Sequence, residues 1–274
     1  MKVNALQKLL TSTLALSDNG RAAFRVTLAG VLKTAMNGTS ISIEVDDDDN
    51  ECEYEIGKGG LAMHEMKGFI SEKGYYGWMA GMCDFREQLI AADNDAMVSG
   101  HVICVDSCGG EALACKPTYD VVASLNKPCV ALVEDACCSA AYYNVCAADA
   151  IFAVQSLCKV GSIGTMTTVC DDSAYLESLG IKIVDFYSSL SPNKISPWQK
   201  AIEGDPSDLI TNFLDPAAKE FTKAVKDARM SVSEDALTGT LYNANDAIKN
   251  GLIDGIKSYD QAINYAIFLT RKKQ

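Results

Sequence analysis

Residues 101–110 read His101-Val102-Ile103-Cys104-Val105-Asp106-Ser107-Cys108-Gly109-Gly110, a short apolar run stopped by a polar, glycine-rich cluster. That pattern predicts a buried strand ending in a tight turn. Two further apolar runs follow, Cys129-Val130-Ala131-Leu132-Val133 after Lys127-Pro128, and Ala150-Ile151-Phe152-Ala153-Val154. Helix-length segments separate them. Tyr119 to Leu125 continues a helix with Pro117 in its first turn, where a missing N–H costs nothing, and Ser139 to Ala147 forms the next. Strands alternating with helices at this spacing imply right-handed βαβ units and a mainly parallel sheet, an α/β fold.

Working outward, Gly60 to Met66 reads as a strand and Met79 to Ala92 as a helix with Met82, Phe85, Leu89 and Ile90 on one face. Downstream, Ile181 to Tyr187 reads as a strand. A polar stretch with Pro192 and Pro197 follows, then a long helical region from Asp205 to about Met230 with Phe213, Leu214, Phe221 and Val225 as its stripe. Thr238 to Tyr242 reads as a turn and Ala244 to Asn250 as a helix before a glycine stop. Residues 1–38 read as one or two helices broken at Asn19-Gly20 and Asn37-Gly38, with Met1 to Leu16 as an amphipathic surface helix. Ser40 to Val45 alternates at period two like a strand. Asp46 to Glu51 is a solvated acidic turn, lacking the glycine and terminal glutamate of a calcium loop. The expected division is 1–58 as an N-terminal helical extension with its acidic loop, 59–258 as the main domain and 259–274 as a C-terminal helical tail.

Composition narrows the classes. The 274 residues are 48% hydrophobic and 22% charged, which supports a sizeable core and excludes disorder throughout. A net charge of −12 repels nucleic-acid phosphates and anionic lipid, and only Arg271-Lys272-Lys273 is markedly basic, so no nucleic-acid partner is expected. No apolar run approaches the roughly 20 residues that span a bilayer, so no membrane anchor and a cytoplasmic location are expected. The 11 cysteines sit mostly in apolar segments with no CxxC pair, and the only histidines are His64 and His101. Neither zinc nor a secreted disulfide framework fits; cysteine serves here as a small buried hydrophobe. No metal and no cofactor are expected.

The chemistry concentrates between Cys104 and Gly164. Gly109-Gly110 leaves backbone N–H groups uncovered, where they could hold the anion of a tetrahedral intermediate; a plain structural turn fits the pair equally. Ser139, in Asp135-Ala136-Cys137-Cys138-Ser139-Ala140-Ala141-Tyr142-Tyr143, opens a helix where free N–H groups favour developing negative charge. Its alternative reading is a helix cap. Cys137 and Cys138 could be nucleophiles, but a thiolate needs an electropositive neighbour, and the adjacent charges are Glu134 and Asp135. A serine nucleophile requires a base. His64 is one candidate. Lys194 is another, between Pro192 and Pro197 and near Trp198, where burial could lower its pKa; a surface-loop lysine is the alternative.

Taken together these residues resemble the signal peptide peptidase A (SppA) family of serine peptidases. The family's Ser-Pro-Gly-Gly turn is matched by Ser107-Cys108-Gly109-Gly110, and its Lys-Pro-Val-Val-Ala strand by Lys127-Pro128-Cys129-Val130-Ala131. Its nucleophile motif Ala-Ala-Ser-Gly-Gly-Tyr-Tyr is matched by Cys137 to Tyr143. Ala148-Asp149, Gly161-Ser162-Ile163-Gly164, Gly239 to Tyr242, Asp246-Ala247 and Gly251-Leu252-Ile253-Asp254 continue the order over roughly residues 60–258. The resemblance implies a ClpP/crotonase-like spiral of ββα units. It assigns Ser139 as nucleophile, Lys194 as general base, and the N–H of Gly110 or Gly109 with that of Ala140 as the oxyanion hole. It also implies a peptide or protein substrate and a homo-oligomer.

Three departures stand out. Cys108 replaces a proline, Ala140-Ala141 replaces Gly-Gly, and the surroundings of Lys194 match loosely. The expected absence of an anchor suits the soluble phage and prophage branch, whose members resemble capsid-maturation proteases. The expected function is therefore a serine endopeptidase with a Ser-Lys dyad. Its rivals are an inactive scaffolding or assembly protein of the same fold and a crotonase-like acyl-CoA enzyme.

Overall fold

The structure, a computed structural model, describes residues 54–74, 79–171 and 173–273 together with the main chain of Leu14–Leu16. The strand expected at 40–45, the acidic turn and most of the N-terminal helical reading lie outside the described residues. Leu14–Leu16 corrects the end of that reading: it is a strand, β1, because it finds an open strand edge to pair with.

Two strands follow, β2 (Glu55–Ile56) and β3 (Leu61–Ser71), then β4 (Met79–Gly81) and helix α1 (Met82–Asn94). α1 buries Met82, Phe85, Leu89 and Ala92 at helical spacing, whereas Ile90, expected on that face, is 48% exposed, one helical step round from Leu89. Next come β5 (Gly100–Glu111), α2 (Cys115–Ser124), β6 (Cys129–Cys138), α3 (Ala140–Val145), β7 (Ala150–Ala153) and β8 (Lys159–Gly161). The later elements are α4 (Ser173–Ser178), α5 (Ser196–Ile202), α6 (Ser207–Leu209), a π-helical turn (Ile210–Leu214), α7 (Asp215–Ala228), β9 (Leu241–Asn243), α8 (Ala244–Lys249), β10 (Gly255–Ile256) and α9 (Tyr259–Lys273).

The expected mixed α/β architecture with a mainly parallel sheet is what forms. The central path runs β10-β7-β6-β5-β3-β2, and β3, β5, β6 and β7 are mutually parallel. Both sheet faces are covered, so these strands read as continuous apolar runs. Ile103, Val105, Ala131 and Val133 face the main core, while Val102, Cys104, Val130 and Leu132 face Ala262, Ile263 and Ala266 of α9. The segment read as a C-terminal tail is thus a layer of the sheet's own packing.

The three central strands change register at one level. β3 shifts between Lys67 and Phe69, and β5 between Val105 and Ser107, where β6 passes from Val133 to Cys137. Beyond that level the neighbours change, with β4 joining β3, and β8, itself paired with β9, joining β6. Register shifts of this kind bend a sheet. The strand expected to stop at Val105 consequently runs on to Glu111: the glycine-rich cluster is a bend within β5, not its end.

Two other expectations change. Ile181 to Tyr187 forms no strand; the segment is exposed throughout and pairs with no strand among the described residues. The long helix holds its course from Ser207 to Ala228 but opens into the π turn just ahead of Pro216, which has no N–H to offer. Seven of the ten described cysteines are buried. No group of His, Cys, Asp or Glu among the described residues could hold a metal, and no described helix is long and apolar enough to cross a membrane.

Candidate active site

β6 carries Cys138 to the end of the sheet, and the chain turns there through Ser139 into α3. Ser139 adopts φ 54° and ψ −119°, a conformation that favours glycine and costs a serine roughly 1–3 kcal/mol. Its N–H donates to the Gly161 carbonyl at 2.8 Å, and its carbonyl accepts the first helical bond, from the Tyr143 N–H at 2.9 Å. The backbone is therefore pinned from both sides while the side chain is not. Ser139 makes no side-chain cap hydrogen bond, and its fully buried Oγ has no partner among the described residues. The capping reading fails on that observation. A buried hydroxyl without a partner costs about 1–3 kcal/mol, so this residue lowers stability twice over.

The glycine pair lies beside it. β5 and β6 run together up to Ser107 opposite Cys137, and Gly109-Gly110 and Ser139 follow directly on that last rung. Gly109 has φ 104°, which an L side chain rarely adopts. A Cβ on Gly110 would lie 2.0 Å from the Ile70 carbonyl oxygen, so only glycine fits between β5 and β3. Ser107 Oγ donates to the Gly68 carbonyl at 2.6 Å and accepts the Gly109 N–H at 3.1 Å. Sequence reasoning missed that role of Ser107; a hydroxyl two residues ahead of a glycine was its only signal.

The motif residues after Ser139 are its support. The Tyr142 hydroxyl donates to the Leu252 carbonyl at 2.8 Å, tying α3 to the Gly251–Asp254 segment. The Tyr143 ring stacks on Phe221 of α7 with centroids 4.6 Å apart. Asp254 accepts from the Ile151 N–H at 2.7 Å and pairs with Arg229 at 2.8 Å, while Asp149 accepts from the Cys129 N–H at 2.8 Å. Ser162, also at φ 54°, donates its N–H to the Thr240 carbonyl at 2.8 Å. A second strained serine thus follows the very residue that pins Ser139.

The rival nucleophiles and bases separate cleanly. Burial raises the Cys137 thiol well above its ordinary range and pushes Cys138 up to about 12, so neither is a thiolate at neutral pH. His64 is buried near the start of β3, with Nε2 3.2 Å from His101 Nδ1, and burial lowers its pKa to about 3. Its rung crosses Ile103 to Ala131 near the start of β6, at the opposite end from Ser139. Lys194 lies in the exposed segment 181–195 and is itself exposed rather than partly buried. Trp198 packs edge-on against Phe213, centroids 4.7 Å apart. Within one chain the structure sets Gly109 and Ser139 each two residues beyond the last paired rung of β5 and β6, and does not bring Lys194 to the Ser139 hydroxyl.

Residues 123–270 match Peptidase family S49, more than half of the chain. The chain belongs to peptidase family S49. The match spans Ser139 and Lys194 and begins after the glycine pair. This S49 chain is 28% identical over 211 residues to "Head-tail preconnector protein GP5" of Enterobacteria phage P21, covering 75% of this chain and 40% of that protein. It is 28% identical over 193 residues to "Capsid assembly protease C" of Escherichia phage lambda, covering 69% and 43%. The chain thus spans less than half the length of either relative. Among solved structures, ClpP1 from Listeria monocytogenes is similar over 72% of this chain and 91% of that one, at 12% identity and a TM-score of 0.45. An enoyl-CoA hydrotase/isomerase family protein from Silicibacter pomeroyi is similar over 81% of each chain, at 16% identity and a TM-score of 0.48.

Proposed function

We propose that this S49 chain is a serine endopeptidase in which Ser139 is the nucleophile and Lys194 the general base. The observation that carries the reading is the Ser139 hydroxyl, held at a strained backbone position, buried, without a partner and beside two glycines that the backbone requires. A protein retains such a costly arrangement where the group has work to do. Neutral Lys194 takes the Ser139 proton as Oγ attacks the scissile carbonyl. The N–H groups of Ala140 and Gly110 hold the oxyanion; the Gly109 N–H is already engaged by Ser107, which favours Gly110 over its neighbour. Lys194 then protonates the departing amine, and water releases the acyl group and restores Ser139.

The base comes from assembly. Segment 181–195 carries Ile183, Phe186 and Leu190 at 65%, 90% and 91% exposure, an apolar surface that a second copy of this chain would cover. Docked there, the segment loses water and Lys194 is presented to the Ser139 hydroxyl of the neighbouring copy. The substrate is a protein or peptide with small or apolar side chains near the cleaved bond, since the methyls of Ala140 and Ala141 narrow the space. The name of the lambda relative, a capsid assembly protease, supports cleavage during capsid assembly, and a cytoplasmic place of action goes with that reading. A fluorophosphonate probe tests the core claim: mass spectrometry should find the adduct on Ser139, and Ser139→Ala should remove it. A correctly folded chain that stays unlabelled, or labels elsewhere, overturns the assignment.

A further inference from the structure

β1 pairs antiparallel with the end of β5, Leu14 opposite Glu111, Ala15 opposite Gly110 and Leu16 opposite Gly109. A strand has only two edges. At this level β3 holds one of them, with Phe69 opposite Gly109 and Ile70 opposite Gly110. The other edge carries β6 as far as Ser107 opposite Cys137, after which β6 ends and the chain turns through Ser139. β1 therefore lies along the edge that β6 vacates, on the side where the nucleophile sits.

That edge is where an extended peptide would dock. Peptides bind open strand edges through main-chain hydrogen bonds, and here the edge belongs to the glycines assigned to the oxyanion. We propose that β1 occupies the main-chain position of a peptide substrate, so that the chain carries its own competitor for the site. The inference rests on Ser139 being the nucleophile of the reading above. The surrounding sequence suits the part. Thr11-Ser12-Thr13-Leu14-Ala15-Leu16-Ser17 has no charge to desolvate and no proline to interrupt a strand. Its small and apolar residues are of the class that the space beside Ala140 and Ala141 admits. At three residues, β1 is short enough for a longer peptide to displace it.

The test uses full-length chains and does not depend on catalysis. In a Ser139→Ala background, Ala15→Pro and Leu16→Pro are made separately, because alternate residues of a strand point their N–H groups to opposite edges. A fluorescein-labelled peptide of the sequence Thr11 to Asn19 is titrated into each chain, and hydrogen exchange is followed over residues 107–113. At least one proline variant should exchange faster there and bind the peptide more tightly, by about ten-fold if β1 fills the groove nine-tenths of the time. Unchanged exchange in both variants overturns the proposal, as does faster exchange with unchanged affinity. Should affinity rise as expected while chains with an intact Ser139 take no fluorophosphonate, the strand's role stands and the nucleophile assignment alone falls.

Discussion

At the scale of the residue, Ser139 behaves as a liability that the fold tolerates. Its hydroxyl is buried without a partner and its backbone sits where glycine would be at ease. Ser139→Ala removes the first cost and Ser139→Gly removes both, at the price of a more flexible unfolded chain. Melting temperature should therefore rise from serine to alanine to glycine, by about 2 °C at the last step for a net gain near 1 kcal/mol. Peptide hydrolysis should vanish in both variants. Calorimetry beside an activity assay checks this, and a fall in melting temperature would mean that the hydroxyl has a stabilising partner.

At the scale of the element, the paired histidines tie stability to pH. His64 on β3 and His101 on β5 stack with ring centroids 5.4 Å apart, and His101 Nε2 lies 3.3 Å from Asp93 Oδ1. Burial lowers both histidines, with Asp93 opposing the effect at His101. The folded His64 stays neutral down to about pH 3, whereas the unfolded one takes a proton below about pH 6.5. Stability is therefore full above pH 6.5 and is lost as the pH falls towards 3. By pH 5 the loss from His64 alone should reach ~2 kcal/mol. Urea denaturation at pH 7.5 and pH 5 checks it, and His64→Leu should flatten the difference.

The same scale shows what the sequence could reveal. Ile103, Val105, Ala131 and Val133 announce strands because burial on both faces leaves apolar residues only. Leu89 and Ile90 are hard to tell apart, since both fit an apolar stripe and only the width of the contact decides that Leu89 is buried and Ile90, about 100° round, is half exposed. Ile181 to Tyr187 misleads for another reason: strand-like composition says nothing of whether a partner edge lies nearby. For the site, Ser139 is legible as a small residue where a strand gives way to a helix, whereas Gly109-Gly110, which reads as a strand's end, is a bend within β5. The capping reading of Ser139 depends on a side-chain hydrogen bond that the structure does not contain, and no local pattern marks its absence. The tie from Ser107 to Gly109 and the seat of β1 arise from contacts across strands, and no local pattern marks them.

At the scale of the whole molecule, the proposed pairing of Ser139 with Lys194 would make activity a property of the assembly, because one chain does not bring Lys194 to the Ser139 hydroxyl. Ser139→Ala and Lys194→Ala should each be inactive alone, and mixing them under conditions that exchange subunits should restore part of the hydrolysis. Phe186→Asp should lower both the assembled mass by light scattering and the activity. If the mixture stays dead while both variants assemble normally, the base is supplied within a single copy or by another residue.

The bond from Tyr142 to Leu252 joins the turn at Ser139 to a stretch of chain more than a hundred positions later. Synthesis on the ribosome must therefore pass Leu252 before that bond can form and the turn at Ser139 is tied down. On the proposed assignment, a nascent chain stalled short of that stretch would carry an unseated Ser139, and cleavage of neighbours during translation would be deferred by the order in which the polypeptide emerges.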